Sequence, residues 1–156
     1  MAETKIGLIV VASHYESGGQ RAEDLVASAA DALRKREISV LQGSKVVWDG
    51  ADAIEVCQEL KEKNVQSIAI LLSTWVTDSL LYVIVQEMKL PVVFWAVPYT
   101  ETFSIGCVQH FGSVLMTHGI PYEYVYGLPE EEILIDKVAA VAETGRILHE
   151  VKNMKL

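Results

Sequence analysis

No stretch of this chain approaches the roughly 20 consecutive apolar residues needed to cross a bilayer; its apolar blocks, such as LIVVA (8–12), are far shorter. The opening MAETKIGLIVVAS also lacks a basic segment followed by a long apolar one, the mark of a secretory leader. The expectation is a cytoplasmic chain with no membrane partner. Cysteine is scarce, with Cys57 and Cys107 far apart in helix-like segments. Reduced packing thiols are therefore expected rather than a disulfide or a metal clip. Positive charge is scarce too: 13 Lys and Arg face 21 Asp and Glu, giving a net charge of −8. Nucleic-acid binding rests on basic neutralisation of phosphates, so nucleic acid is excluded as a partner. The one cationic cluster, Arg34-Lys35-Arg36, falls where the C-terminal end of a helix favours cations. HExxH, CxxC, GxSxG, GxGxxG and GxxxxGK[ST] are all missing, as is any carboxylate and histidine spacing typical of a divalent-metal site. No self-contained catalytic constellation and no cofactor are expected within this chain.

What the chain does contain is alternation. At 156 residues it suits one domain with a core able to stand alone. Five β-branched blocks, KIGLIVVA (5–12), KVVWD (45–49), SIAILLS (67–73), PVVFWAV (91–97) and YEYVYG (122–127), are separated by amphipathic stretches, the pattern of repeated βα units. The first, third and fourth are almost continuously apolar, as befits strands covered on both faces. The second and fifth are shorter or more polar and suit the edges.

The intervening helices carry their own signals. Residues 20–37 place Leu25, Ala29, Ala32 and Leu33 on one face, and 51–64 repeat Ile54, Cys57 and Leu60. Residues 77–89 stop before Pro91, and 103–119 end at Gly119 with Pro121 beyond, both standard stop signals. Residues 129–152 open with proline and three glutamates, as a helix start prefers. Right-handed crossovers join such units into an α/β, three-layer, doubly wound sheet of five parallel strands. The expected order is 2-1-3-4-5, as in flavodoxin-like folds, with ligands bound beyond the carboxyl ends of the strands where the order reverses.

That rule brings three loops together. SHYESGGQ (13–20) offers His14, Tyr15 and Glu16 ahead of a Gly-Gly turn, with Ser17 as a candidate helix cap. His14 either faces a ligand or merely sits in the turn. STWVTD (73–78) sets Trp75 at a strand exit, either packed under a neighbouring loop or presented to the C–H face of a ligand, with Thr77 or Asp78 capping the next helix. PYTETF (98–103) adds Glu101, and the following helix carries Gln109 and His110. Flavin mononucleotide is a poor fit, because the first loop has too few hydroxyls around its glycines to cradle a phosphate.

The run LLSTWVTDSLLYVIVQEMKLPVVFWAVPYTETFSIGCVQHFGSVLMTHGIPYEYVYG (71–127) resembles the N-terminal region of the L-fucose isomerase and L-arabinose isomerase family, in its fucose isomerase-like branch. The likeness lies in the aromatic-bearing turn after the third strand, the LPVVFWAVP strand, the TFS step and the closing GIPYEYVYG; it covers essentially the whole chain, about 5–150, and is densest over 71–127. The resemblance implies aldose–ketose isomerisation, a proton moving between C1 and C2 with a metal polarising the oxygens. It also implies that the metal, usually Mn²⁺, is held by later domains. Residues 1–152 would then be the first domain, with NMKL (153–156) opening a missing one. Such N-terminal domains help close a neighbouring subunit's site, so a homo-oligomer and a sugar substrate are implied partners. By that likeness His14, Tyr15, Glu16, Trp75, Gln109 and His110 would lie along the sugar as contacts, not catalysts. The other reading is a stand-alone module binding a small sugar or a phosphorylated metabolite in the same cleft.

Overall fold

Buried strands must satisfy their backbone within the sheet, and the apolar blocks of this chain do so as parallel strands separated by helices. The computed structural model describes residues 2–154. In chain order it forms β1 (Lys5–Val11), α1 (Ala22–Arg34), β2 (Ser39–Gln42), α2 (Gly50–Glu62), β3 (Ser67–Leu72), α3 (Asp78–Met88), β4 (Val92–Ala96), α4 (Ser104–Thr117), β5 (Glu123–Tyr126) and α5 (Glu132–Asn153). Short 3₁₀ turns at Gly19–Arg21 and Thr100–Thr102 lead into α1 and α4. The sheet is wholly parallel in the order β2-β1-β3-β4-β5, as expected for a flavodoxin-like three-layer fold.

Side-chain alternation divides the core into two halves. Ile68, Ile70 and Leu72 of β3, with Phe94 of β4, pack against α2, α3 and α4. Ala69, Leu71 and Trp95 face α1 and α5 on the other side. β3 and β4 are buried along their whole length, which explains why they read as unbroken apolar runs. Trp95 is fully buried, and its indole N–H donates to the Gly127 carbonyl at 3.0 Å, so the ring's one polar group is satisfied.

The expected second strand is corrected. KVVWD (45–49) is not β2; the strand is Ser39–Gln42, paired with β1 from Lys5↔Ser39 to Leu8↔Gln42. Val47 still bonds to β1, its N–H to the Val10 carbonyl and its carbonyl to the Ala12 N–H, but as a single bridge to Val11. Two extra residues between the pairings push the chain out of register, so the β-branched pair Val46-Val47 closes the ladder instead of forming it. On α2 the buried face is Ala53, Val56, Cys57 and Leu60, while Ile54 is exposed. The α5 start is shifted as well: Pro129 and Glu130 precede the helix, and Glu131 folds back to accept the Leu128 N–H at 2.9 Å. Asn153 closes α5 and Met154 is extended; the rest of the expected strand opening, 155–156, lies outside the described residues.

The cationic cluster serves the fold. Arg34 ends α1 beside Asp31, and Arg36 reaches Asp136 on α5. No helix among the described residues is long and apolar enough to cross a membrane.

Cys57 and Cys107 are free, buried and pushed up to about 11 by loss of hydration. In the folded chain both thiols are expected to resist iodoacetamide at mildly alkaline pH and to react promptly in denaturant; fast labelling of the native chain would contradict their burial. A second check is steric. A Cβ at Gly145 of α5 would overlap the Gln66 backbone carbonyl at the start of β3. Gly145→Val is expected to cost about 1–3 kcal/mol in urea denaturation, and an unchanged midpoint would refute this close approach of helix and sheet.

Candidate functional site

At their carboxyl ends β1, β3 and β4 each pass into a loop whose backbone is bonded to its neighbour. The Ser73 hydroxyl donates to the Gly18 carbonyl at 2.8 Å, and the Ser13 N–H donates to Thr74 Oγ1 at 2.8 Å. The Trp75 N–H donates to the Thr102 carbonyl at 3.0 Å. Further along, Ser104 Oγ accepts from the Val97 N–H at 2.8 Å and donates to the Val97 carbonyl at 3.1 Å. Small hydroxyl residues at the strand exits thus lace three loops into one surface. Ser73, Thr74, Thr102 and Ser104 are all fully buried, so these bonds satisfy groups that water cannot reach.

On this surface stands a row of rings. Trp75 is partly buried, with the Phe103 ring at 5.8 Å and 7° and the His110 ring at 6.1 Å and 29° from its own, distances typical of offset stacking. Phe103 holds a left-handed backbone conformation, φ 48°, and remains 60% exposed. That conformation is uncommon for a bulky residue, and here it turns the chain from the 3₁₀ turn into α4 while keeping the ring in solvent. His110 Nδ1 lies 3.2 Å from Asp78 at the start of α3. With Nδ1 donating to that carboxylate, the neutral ring keeps Nε2 as an acceptor, on a side chain that is 60% exposed. The row therefore offers an apolar face, a carboxylate-oriented imidazole and open solvent above.

A second cluster lies beside it. The Arg21 guanidinium sits 4.0 Å above the Tyr99 ring and pairs with Glu101. The Glu101 carboxyl is held below the usual range, first by its own backbone N–H and then by Arg21. Beyond this, His14 stacks on Trp48 at 4.1 Å and 7°. Trp48 is itself fixed by reciprocal capping: Asp49 accepts the Asp52 N–H, and Asp52 accepts the Trp48 N–H.

Of the residues expected along one ligand, only Trp75 and His110 are in contact. Glu101 joins Arg21, and His14 joins Trp48. Tyr15 is 98% exposed, and Glu16 points no side-chain bond at any neighbour among the described residues. Gln109 is exposed with no hydrogen-bond partner among the described residues, so the expected Gln109–His110 pair is split. Adjacent helical residues diverge by about 100°, and only His110 faces Trp75. Ser17 does not cap the first turn: Gly18 occupies that position with φ 110°. Thr77 sits at the α3 N-cap without a side-chain cap bond, leaving Asp78 for His110. On α4 itself Phe111 is buried, in contrast to exposed Phe103 at the helix start. Sequence reading passed over Arg21, Trp48 and the Asp78–His110 pair; the hydroxyls after each strand were the available signal for the lacing.

One cavity borders this surface and a larger one lies far from it. One of about 420 Å³ is bordered by Trp48, Lys45 and Asp52. A larger groove of about 590 Å³ lies at the opposite end of the sheet, between Pro91, Ile120, Tyr122 and Leu148. Size alone would favour the latter, whose lining also carries Gln86, Lys89, Glu123, Thr144 and Lys152, but it lies at the amino ends of the strands, whereas ligands of this fold class bind beyond their carboxyl ends. Among the described residues no three His, Cys, Asp or Glu side chains come together to hold a metal ion. The donors at the ring row stop at Asp78 and His110, a set too small for Mn²⁺. No family model matches this chain, and no curated protein matches it. The functional reading rests on these residues.

The lacing is testable through Thr74. Its hydroxyl accepts from Ser13 and donates to the Trp75 carbonyl at 2.8 Å. Thr74→Val keeps the shape but strands both groups, and is expected to cost about 1–3 kcal/mol by chemical denaturation. A neutral result would mean that the loops do not depend on each other.

Proposed function

We propose that this domain is the N-terminal domain of a metal-dependent aldose–ketose isomerase of the L-fucose and L-arabinose type, supplying sugar contacts while other domains supply the metal. The observation that carries the reading is the Phe103–Trp75–His110 row beside Asp78, at the strand exits where this fold class binds ligands. Aromatic faces stack on the C–H surface of a pyranose or an open-chain sugar, and polar groups at their edge orient its hydroxyls. Trp75 would form the platform. His110 Nε2 would accept a sugar hydroxyl, with Asp78 holding the ring in place.

A divalent metal in such enzymes polarises the substrate oxygens during the C1–C2 proton transfer. The donor set here does not fit that ion, so this chain's part is binding and orientation, and exclusion of water from one side of the sugar. Exposed Phe103 and the neighbouring loop would meet the other subunit of an oligomer. The runner-up is a self-sufficient binding module for a sugar or phosphorylated metabolite, favoured by the lacing of all three loops within this one chain and by Arg21 beside them.

Titration with L-fucose and L-arabinose, followed by the Trp75 indole N–H in ¹H–¹⁵N spectra, tests the reading. A saturable shift is expected, and Trp75→Ala, read at the backbone amides of Phe103 and His110, should weaken binding by about two- to tenfold, as loss of one stacking contact implies. A silent indole with both sugars would overturn it. Isomerase turnover by this chain alone with Mn²⁺ would overturn the division of labour.

A further inference from the structure

Arg21 is held in an arrangement that leaves part of it unused. Its guanidinium has Tyr99 against one face and Glu101 on Nη2, yet Nη1 is buried and has no hydrogen-bond partner among the described residues. Buried donors without acceptors are rare, and each points to strain, to a missing group or to a role. The position of this one is informative. A Cβ at Gly18 would stand 3.0 Å from Nη1 and 3.1 Å from the Ser73 carbonyl oxygen. The first loop, the β3 exit and the guanidinium therefore meet at one point, and Thr102 of the third loop closes it from the side. That point lies between the ends of β1 and β3, where the strand order reverses.

We propose that Arg21 is the anion-recognising residue of this crevice, latched on Glu101 until a ligand carrying a carboxylate or phosphate displaces that carboxylate. The inference rests on the reading of the strand exits as a ligand site, and it takes up the second form of that reading, a ligand with an acidic group, rather than the neutral sugar. Arginine presents a planar fork that matches carboxylate and phosphate oxygens in pairs. In the latched state only one arm of the fork is used, and the other faces packed atoms. An anion that displaces Glu101 takes its place on Nη2 and engages the second arm once the guanidinium turns out of the packed point, while Glu101, 44% exposed, returns to water at little cost. With a net charge of −8, the protein repels anions in general, so selective capture needs a dedicated cation. Tyr99 keeps that cation flat as it turns, through its ring face.

The test uses the whole chain, at constant ionic strength, with inorganic phosphate and acetate as separate probes and L-fucose as the neutral control. The Arg21 Nε–H and the Gly18 and Ser73 amides are followed by NMR. A saturable response of these signals to phosphate, acetate or both is expected, and which probe is tighter identifies the acidic group. Arg21→Gln should weaken that binding by about tenfold or more, as loss of a charge-assisted fork implies. Glu101→Gln removes the competing carboxylate and should tighten it by about two- to fivefold. Should Arg21→Gln fail to fold, Arg21→Lys keeps the charge without the fork and is expected to weaken binding, and the Glu101→Gln result stands by itself. Binding unchanged by Arg21→Gln, weakened by Glu101→Gln, or absent for both anions overturns the proposal. An L-fucose response at Trp75 with no anion response at Arg21 keeps the sugar reading and rejects this one; the reverse pattern keeps the latch and rejects the sugar.

Discussion

A strand buried on both faces has to hand its chain to a helix without stranding backbone groups, and this protein meets that constraint at three neighbouring strand exits by bonding the loops to each other. Ser73 to Gly18, Ser13 to Thr74 and Trp75 to Thr102 are the contacts concerned. Everything that looks functional depends on them. They fix the height of Trp75, the direction from which α4 brings His110, and the narrow meeting point of Gly18 with Arg21. Lacing of this kind costs freedom of movement but lets short loops present side chains on a rigid base, the condition for binding without a large ordering penalty.

The fold was legible because burial leaves a plain trace. Blocks such as SIAILLS have no polar alternation since helices cover both faces, and the stops at Pro91 and Gly119 mark real helix ends. The error at β2 has the same root. Its residues, SVLQ, are short and half-buried at the sheet edge, so they give a weaker signal than the β-branched KVVWD that follows. An edge strand is chosen by register with its neighbour, which a local pattern does not encode.

Site residues were harder to read, for a physical reason. Position at a strand exit picked out Trp75, His14 and Glu101, but partnership is long-range. His14 leans on Trp48 from the connection before α2, and Glu101 pairs with a cation 80 residues earlier. Neither pairing is a spacing in sequence. Gln109 and His110 looked like one motif because they are adjacent, yet helical geometry sends them in different directions. Asp78 was read as a cap, the commonest use of an aspartate there; its carboxylate instead orients His110. The groove at the far end of the sheet shows the converse: more space, at the end of the strands where this fold class does not bind its ligands.

Hydrogen exchange at the strand exits tests the central claim most directly. If the three loops form one laced base, the Ser13 and Trp75 amides, both bonded across loops, should exchange nearly as slowly as amides inside β1 and β3 and should open together with them. Fast, independent exchange at these two amides, with the strands still protected, would contradict the account and leave the ring row and Arg21 on separately moving loops.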